Sequence, residues 1–334
     1  MDEDYVRALE FGMPPAAGEY RAEQMTYLTG LVHQKRTSKQ LGDLLDELLS
    51  SELTKQPHSD AGATIRELKR QYDKKVKLPQ SLVEELTRAS VLGQQAWVKA
   101  RHDNDFTAFA PHVEKLFHLK RQQAECLGYA ANPYDALLDD FEPDAKTADV
   151  ARVLAELRTE LVPLVQAIMQ SGQKAPVEIV QREYPQAAQE EFGKSAAAAI
   201  GFDFQRGRLD VTHHPFCSGM GPHDCRITTR YDERFFNSAF FGILHEAGHG
   251  IYDQGLRPDQ FGLPPGTYLS LGIHESQSRM WENLVGRSRA FWEHFFPRLQ
   301  TTFHAAVENV KLDDFFFAIN HVAPSLIRVE ADEA

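Results

Sequence analysis

The segment His245-Glu246-Ala247-Gly248-His249 constrains this chain more than any other. Residues four apart on an α-helix share a face, so both imidazoles project to one side and can hold a single tetrahedral metal ion. Glu246 lies about 100° round the helix from His245, beside the open coordination position. From there its carboxylate can take a proton from metal-bound water and pass it to a leaving amine. A helical setting and a third ligand within reach are what turn this short pattern into a site.

That third ligand must be found elsewhere. A continuation with glycine at 252 and histidine at 255 is closed, because the chain has Tyr252 and Gly255. The inverted form of the motif is absent. The remaining common arrangement takes a glutamate from a following helix and leaves the fourth position open. Glu275, in Gly272-Ile273-His274-Glu275-Ser276-Gln277-Ser278-Arg279, is the best candidate, and Glu282, two turns later, is the fallback. The turn-rich connection GLRPDQFGLPPGT is long enough to bring the second helix back against the first. For either glutamate taken alone, a solvated place on a helix face is the commoner fate.

The periodicity predicts helices nearly everywhere up to about residue 200. Ser81-Leu82-Val83-Glu84 reads as a capping box opening an amphipathic run. Ser38 to Leu49 and Thr107 to Leu127 have the same texture, and Thr147 precedes a face formed by Val150, Val153, Leu154, Leu157 and Leu161. Such stripes predict helix packing and carry no chemistry. After Gly201 the texture changes. Arg208 to Thr212 and Arg226 to Thr229 alternate and are β-branched, which predicts two strands around a Gly- and Pro-containing loop, HHPFCSGMGPHDC. Helical spacing resumes with Asn237 or Ser238 as N-cap and runs through Phe241, Leu244 and Gly248 towards Gly255.

Composition narrows the function classes. A chain of 334 residues can bury a large core. A formal charge of -12 argues against a general partner of nucleic acid or anionic membranes. The acidic start MDEDYVRALEFG is unlike a secretory signal, and FFFAI and SAAAAI are too short to span a bilayer. The three cysteines, Cys126, Cys217 and Cys225, are odd in number and form no CxxC pair. They predict neither a disulfide framework nor a thiolate zinc knuckle, but reduced thiols in a cytoplasmic protein.

Five segments in order, HPF at His214 to Phe216, DCRITT at Asp224 to Thr229, HEAGH, HESQSR at His274 to Arg279, and IRVEAD at Ile327 to Asp332, resemble the carboxypeptidase Taq family of metallocarboxypeptidases. The similarity runs from about Met13 to the last residue. It implies a mostly α fold, a helical zincin-like metallopeptidase body with a small β-sheet beside the metal-binding helix. It also implies His245, His249 and Glu275 as metal ligands, Glu246 as general base and acid, and zinc (or cobalt, in some members) as cofactor. The expected activity is removal of single residues from peptides with a free C-terminus, in a cytoplasmic protein that is typically a homodimer.

A free α-carboxylate calls for a guanidinium, which offers paired charge-assisted hydrogen bonds. Arg328 is the candidate by motif position. Arg226 can serve the same end or brace its strand through Asp224. His214 can approach substrate or pack below the metal, and His274 can support a ligand or point away.

Two departures from the family stand out. Its members continue past the IRxxAD segment with a GxxQDxHW motif and a Gly-Tyr-rich stretch, and this chain stops at Ala334, a C-terminal truncation of the family domain. The sequence therefore divides into an atypical segment 1–13 and an incomplete catalytic domain 14–334, helical to about 200 and metal-binding from about 201. Its first residues, DEDYVRALEFGMPP, resemble a short stretch near the C-terminal end of class II lysyl-tRNA synthetases, without any synthetase catalytic constellation. Besides the carboxypeptidase, two readings stand: an endo-acting oligopeptidase with the same metal chemistry, and a catalytically impaired metal- or peptide-binding remnant.

Overall fold

The computed structural model describes residues 15–56, 58–212 and 215–323. They divide into two units, one reaching to Thr147 and taking in Leu256–Ser270, the other holding Ala148–Gly255 and the residues from Leu271 onward. Arg328 and His214 lie outside the described residues, as does the segment 1–13.

The first unit is helical: α1 (Gly18–Arg36), α2 (Lys39–Leu49), α3 (Asp60–Lys75), α4 (Gln80–Asp103), α5 (Phe106–Leu127) and α6 (Pro133–Leu138). α4 packs on both α1 and α5. Two starts follow from side chains that satisfy free amides: Ser38 accepts from the Leu41 N–H at 3.4 Å, and Asp105 from that of Ala108 at 3.1 Å. The capping box expected at Ser81 does not form. Pro79, extended at φ −60° and ψ 139°, precedes the helix instead, and Glu84 accepts from the Gln80 side chain at 2.5 Å. Pro79, its φ fixed by the ring, stands as the N-cap, so the helix starts at Gln80, ahead of the serine. The segment Leu256–Ser270 joins this unit through Arg257, which binds the Asp60 carboxylate at 2.5 Å.

The second unit carries the sheet. After α7 (Thr147–Gln170) and α8 (Gln186–Ile200) come β1 (Gly207–Val211), β2 (Cys217–Gly221) and β3 (Asp224–Thr229). Their order is β1-β3-β2, with β1 parallel and β2 antiparallel to the central β3. β2 falls in the stretch expected to be loop. Its sequence CSGMG is poor in β-formers, and the hairpin with β3 makes the strand where local propensity does not. Then follow α9 (Phe236–Gln254), α10 (Leu271–Arg279) with a π-helical turn at Met280–Val285, α11 (Arg289–Thr302), α12 (His304–Val307) and α13 (Leu312–Ile319). α9 starts ahead of the expected Asn237 or Ser238 cap, with no side chain capping it. Among the described residues no helix is long and apolar enough to cross a membrane.

Aromatic packing holds α9 in place. Phe236 is buried, stacks on Phe240 at 5.1 Å, and meets Tyr184, Trp292, Phe303 and Phe315 within 6.2 Å. On the other side Ile243 and Ala247 pack with Leu209, Cys225 and Ile227 of the sheet. The stripe on α7 departs from expectation. None of its residues is buried, and Val153 and Leu154 are 52% and 58% exposed, because no described element covers them.

Phe236→Ala should therefore cost about 3–5 kcal/mol in chemical denaturation. A loss below about 1 kcal/mol would show that this ring cluster does not anchor α9.

Candidate metal centre

α9 is buried on nearly all sides, and its inner face brings His245 and His249 towards α10. Gly248 permits the approach. A Cβ there would lie 2.7 Å from the Gln277 carbonyl oxygen and 2.7 Å from the Ser278 Cα, both backbone atoms that cannot swing aside. The glycine in HEAGH thus sets the spacing between the two helices, and with it the reach of Glu275.

Glu275 meets both histidines. Its Oε1 lies 3.5 Å from His245 Nε2 and its Oε2 3.2 Å from His249 Nε2. One donor atom from each of the three residues lies within 4.8 Å of the others. Tetrahedral bonds of about 2.0–2.1 Å would set donor atoms ~3.3–3.4 Å apart, so this nitrogen and oxygen set fits one divalent ion. Of the two candidate glutamates, Glu275 is the one grouped with both histidines in an arrangement that could hold a metal ion.

Glu282 takes a different place. Its Oε2 is 2.8 Å from His245 Nδ1, on the far side of the ring from Glu275, and the residue is 7% exposed. The π-helical turn carrying it breaks the regular register that made it an alternative ligand. By accepting from Nδ1 it turns Nε2 towards Glu275, the usual way a carboxylate fixes the tautomer of a ligating histidine. Arg279 bridges the two glutamates, 3.2 Å from Glu275 and 3.3 Å from Glu282.

His274 supports the other imidazole. Its ring stacks on His249 at 4.5 Å, and its Nε2 is 2.9 Å from Asp253 Oδ1. Asp253 was not singled out from the sequence. It follows His249 by one further turn of the same helix, which was the available signal.

Burial pushes the Glu275 carboxyl up, but the bond from His249 and the charges of His245, His249 and Arg279 outweigh it and hold it at about 2. Burial lowers His245 too, yet the bond to Glu282 and the charges of Glu246, Glu275 and Glu282 hold it above its ordinary value. For His249 burial prevails over the bond to Glu275, and its basicity is lowered.

Glu246 is buried at 6% exposure, and its charge acts on the His245 imidazole. Arg226 is engaged. Its Nε and Nη2 donate to the two Asp224 oxygens at 2.9 Å each, the bracing pair foreseen for β3. Asp224 accordingly holds Arg226, and its carboxylate is spent on that pair.

A family model described as carboxypeptidase Taq (M32) metallopeptidase matches residues 9–334. Thermostable carboxypeptidase 1 of Thermus thermophilus is 44% identical over 331 residues, which cover 96% of this chain and 64% of that protein. Carboxypeptidase 1 of Bacillus subtilis is 35% identical over 322 residues, again 96% of this chain and 64% of the relative. Among solved structures, one titled "BsuCP Crystal Structure" superposes with a TM-score of 0.91 at 35% identity, covering 96% of this chain and 64% of that one. The M32 carboxypeptidase from Deinococcus radiodurans R1 gives 0.83 at 37% identity, with the same coverage. The chain spans 64% of the length of these two curated relatives.

Two outcomes follow from this geometry. Gly248→Ala should weaken zinc binding by separating α9 from α10; an unchanged affinity in a chelator competition would refute the spacing role. Zinc affinity should also fall between about pH 8 and about pH 5. Protons then compete for the imidazoles, whereas Glu275, at about 2, stays ionised throughout. A flat profile over that range would contradict histidine ligation.

Proposed function

The chain belongs to the carboxypeptidase Taq (M32) metallopeptidase family, and from that membership we propose a metallocarboxypeptidase that hydrolyses the C-terminal bond of peptides with a free terminus. The observation that carries this reading is the convergence of His245, His249 and Glu275 on one point, with Glu246 on the same helix. These three side chains would hold the metal, and their nitrogen and oxygen donors suit zinc, with cobalt an acceptable substitute. When bound, the ion supplies Lewis-acid polarisation of the scissile carbonyl and acidifies the attacking water.

The remaining work falls to the protein. Glu246, shielded from bulk solvent, accepts the proton of the attacking water and returns it to the departing amine. Glu282 keeps the His245 ring in orientation, and His274, anchored by Asp253, does the same for His249. Arg279 offsets part of the negative charge of Glu275 and Glu282. Recognition of the substrate carboxylate is assigned to Arg328 by its place in the IRVEAD segment. Arg226 can contribute only by leaving Asp224, and His214 is the remaining candidate for contact with the peptide. The free cysteines suit a cytoplasmic setting.

Glu246→Gln should retain stoichiometric zinc and lose about 10²- to 10⁴-fold in turnover; undiminished cleavage would refute the role. A free-acid peptide and its amidated twin, followed by mass spectrometry, separate the activities. A carboxypeptidase trims only the free acid. Internal cleavage of both would identify an oligopeptidase, and zinc binding without any cleavage a non-catalytic remnant.

A further inference from the structure

Behind the histidine centre lies a second group of ligating side chains that the peptidase reading leaves unused. Cys217 of β2 and Cys225 of β3 sit diagonally across the hairpin, with Cys217 opposite Ile227 and Cys225 opposite Gly219. Their sulfurs are 3.6 Å apart, and the Cys217 sulfur is 3.8 Å from Asp253 Oδ2. One donor atom from each of the three residues lies within 4.8 Å of the others. The Cys225 sulfur also lies 3.9 Å from the Gly250 carbonyl oxygen.

The sulfur–sulfur and sulfur–carboxylate separations come close to those of a thiolate coordination shell. Zinc–sulfur bonds of about 2.3 Å at tetrahedral angles place two sulfurs ~3.8 Å apart, and a sulfur and a carboxylate oxygen ~3.5 Å apart. The surroundings favour a cation as well, because the Asp253 and Glu246 carboxylates place negative charge near the Cys217 thiol. Soft thiolates select soft or borderline ions over magnesium or calcium.

We propose that Cys217, Cys225 and Asp253 form a second metal site, distinct from the His245/His249/Glu275 centre, that takes a thiophilic divalent cation such as zinc or cadmium. Binding releases the two thiol protons to solvent, and the Gly250 carbonyl or a water completes the shell. Asp253 links the two sites: Oδ2 faces the thiols, while Oδ1 holds the His274 ring that stacks on His249. Metal binding at the cysteines does not require peptidase activity.

Cadmium is the probe, added to the full chain with its thiols kept reduced. Binding is read by the ultraviolet sulfur-to-cadmium charge-transfer band and by metal count in native mass spectrometry. The band should appear in the wild type and survive His245→Ala/His249→Ala, which removes the histidine centre. It should vanish in Cys217→Ser/Cys225→Ser and in single Cys217→Ser, while Cys126→Ser leaves it unchanged. Asp253→Asn should weaken cadmium at least about tenfold. Absence of the band in the wild type, or its persistence when both cysteines are replaced, would overturn the site. If the paired cysteine variant misfolds by circular dichroism, the single Cys217→Ser variant decides.

Discussion

The close contact of two helices at Gly248 is the constraint on which the centre depends. Helix axes normally stand apart by the width of their side chains. Here the backbone at Gln277 and Ser278 occupies the space that a Cβ on residue 248 would need. That contact lets Glu275, with its short reach, meet imidazoles on the neighbouring helix at 3.2 and 3.5 Å. The aromatic cluster around Phe236 and the sheet under Ile243 and Ala247 press α9 from two sides, so the histidines stand on a rigid element.

Electrostatics divides labour among groups of the same type. Three carboxylates surround His245, and their places decide their roles. Glu275 faces its Nε2, Glu282 its Nδ1, and Glu246 acts on it through charge. So much negative charge in a partly buried site needs compensation, which Arg279 supplies from one turn beyond Glu275. The same logic extends to Asp253, whose two oxygens face a histidine on one side and a pair of thiols on the other.

Helix position and the ligand pattern were legible because both are local. The stretches Ser38 to Leu49 and Thr107 to Leu127 show their helices in apolar spacing, and the spacing of His245 and His249 can be read without knowledge of the fold. Local signals also misled where a neighbour overruled them. Pro79 displaced the cap expected at Ser81, and β3 recruited CSGMG as a strand despite its composition. On α7 the apolar periodicity forecast a helix correctly but its burial incorrectly, since an amphipathic stripe specifies a face and not what covers it.

The amino-acid order alone determined that this chain is mostly helical, that His245, Glu246 and His249 share one helix, and that Glu275 and Glu282 are the glutamates to weigh. These follow from the period of the α-helix and from the short reach of its hydrogen bonds. Only the tertiary structure set Glu275 beside both imidazoles and Glu282 beside the other nitrogen of His245, joined Asp253 to His274, and set Cys217 beside Cys225. Each of these depends on a packing distance or a strand register between segments remote in sequence, or, for Glu282, on a π-helical turn that no residue type announces.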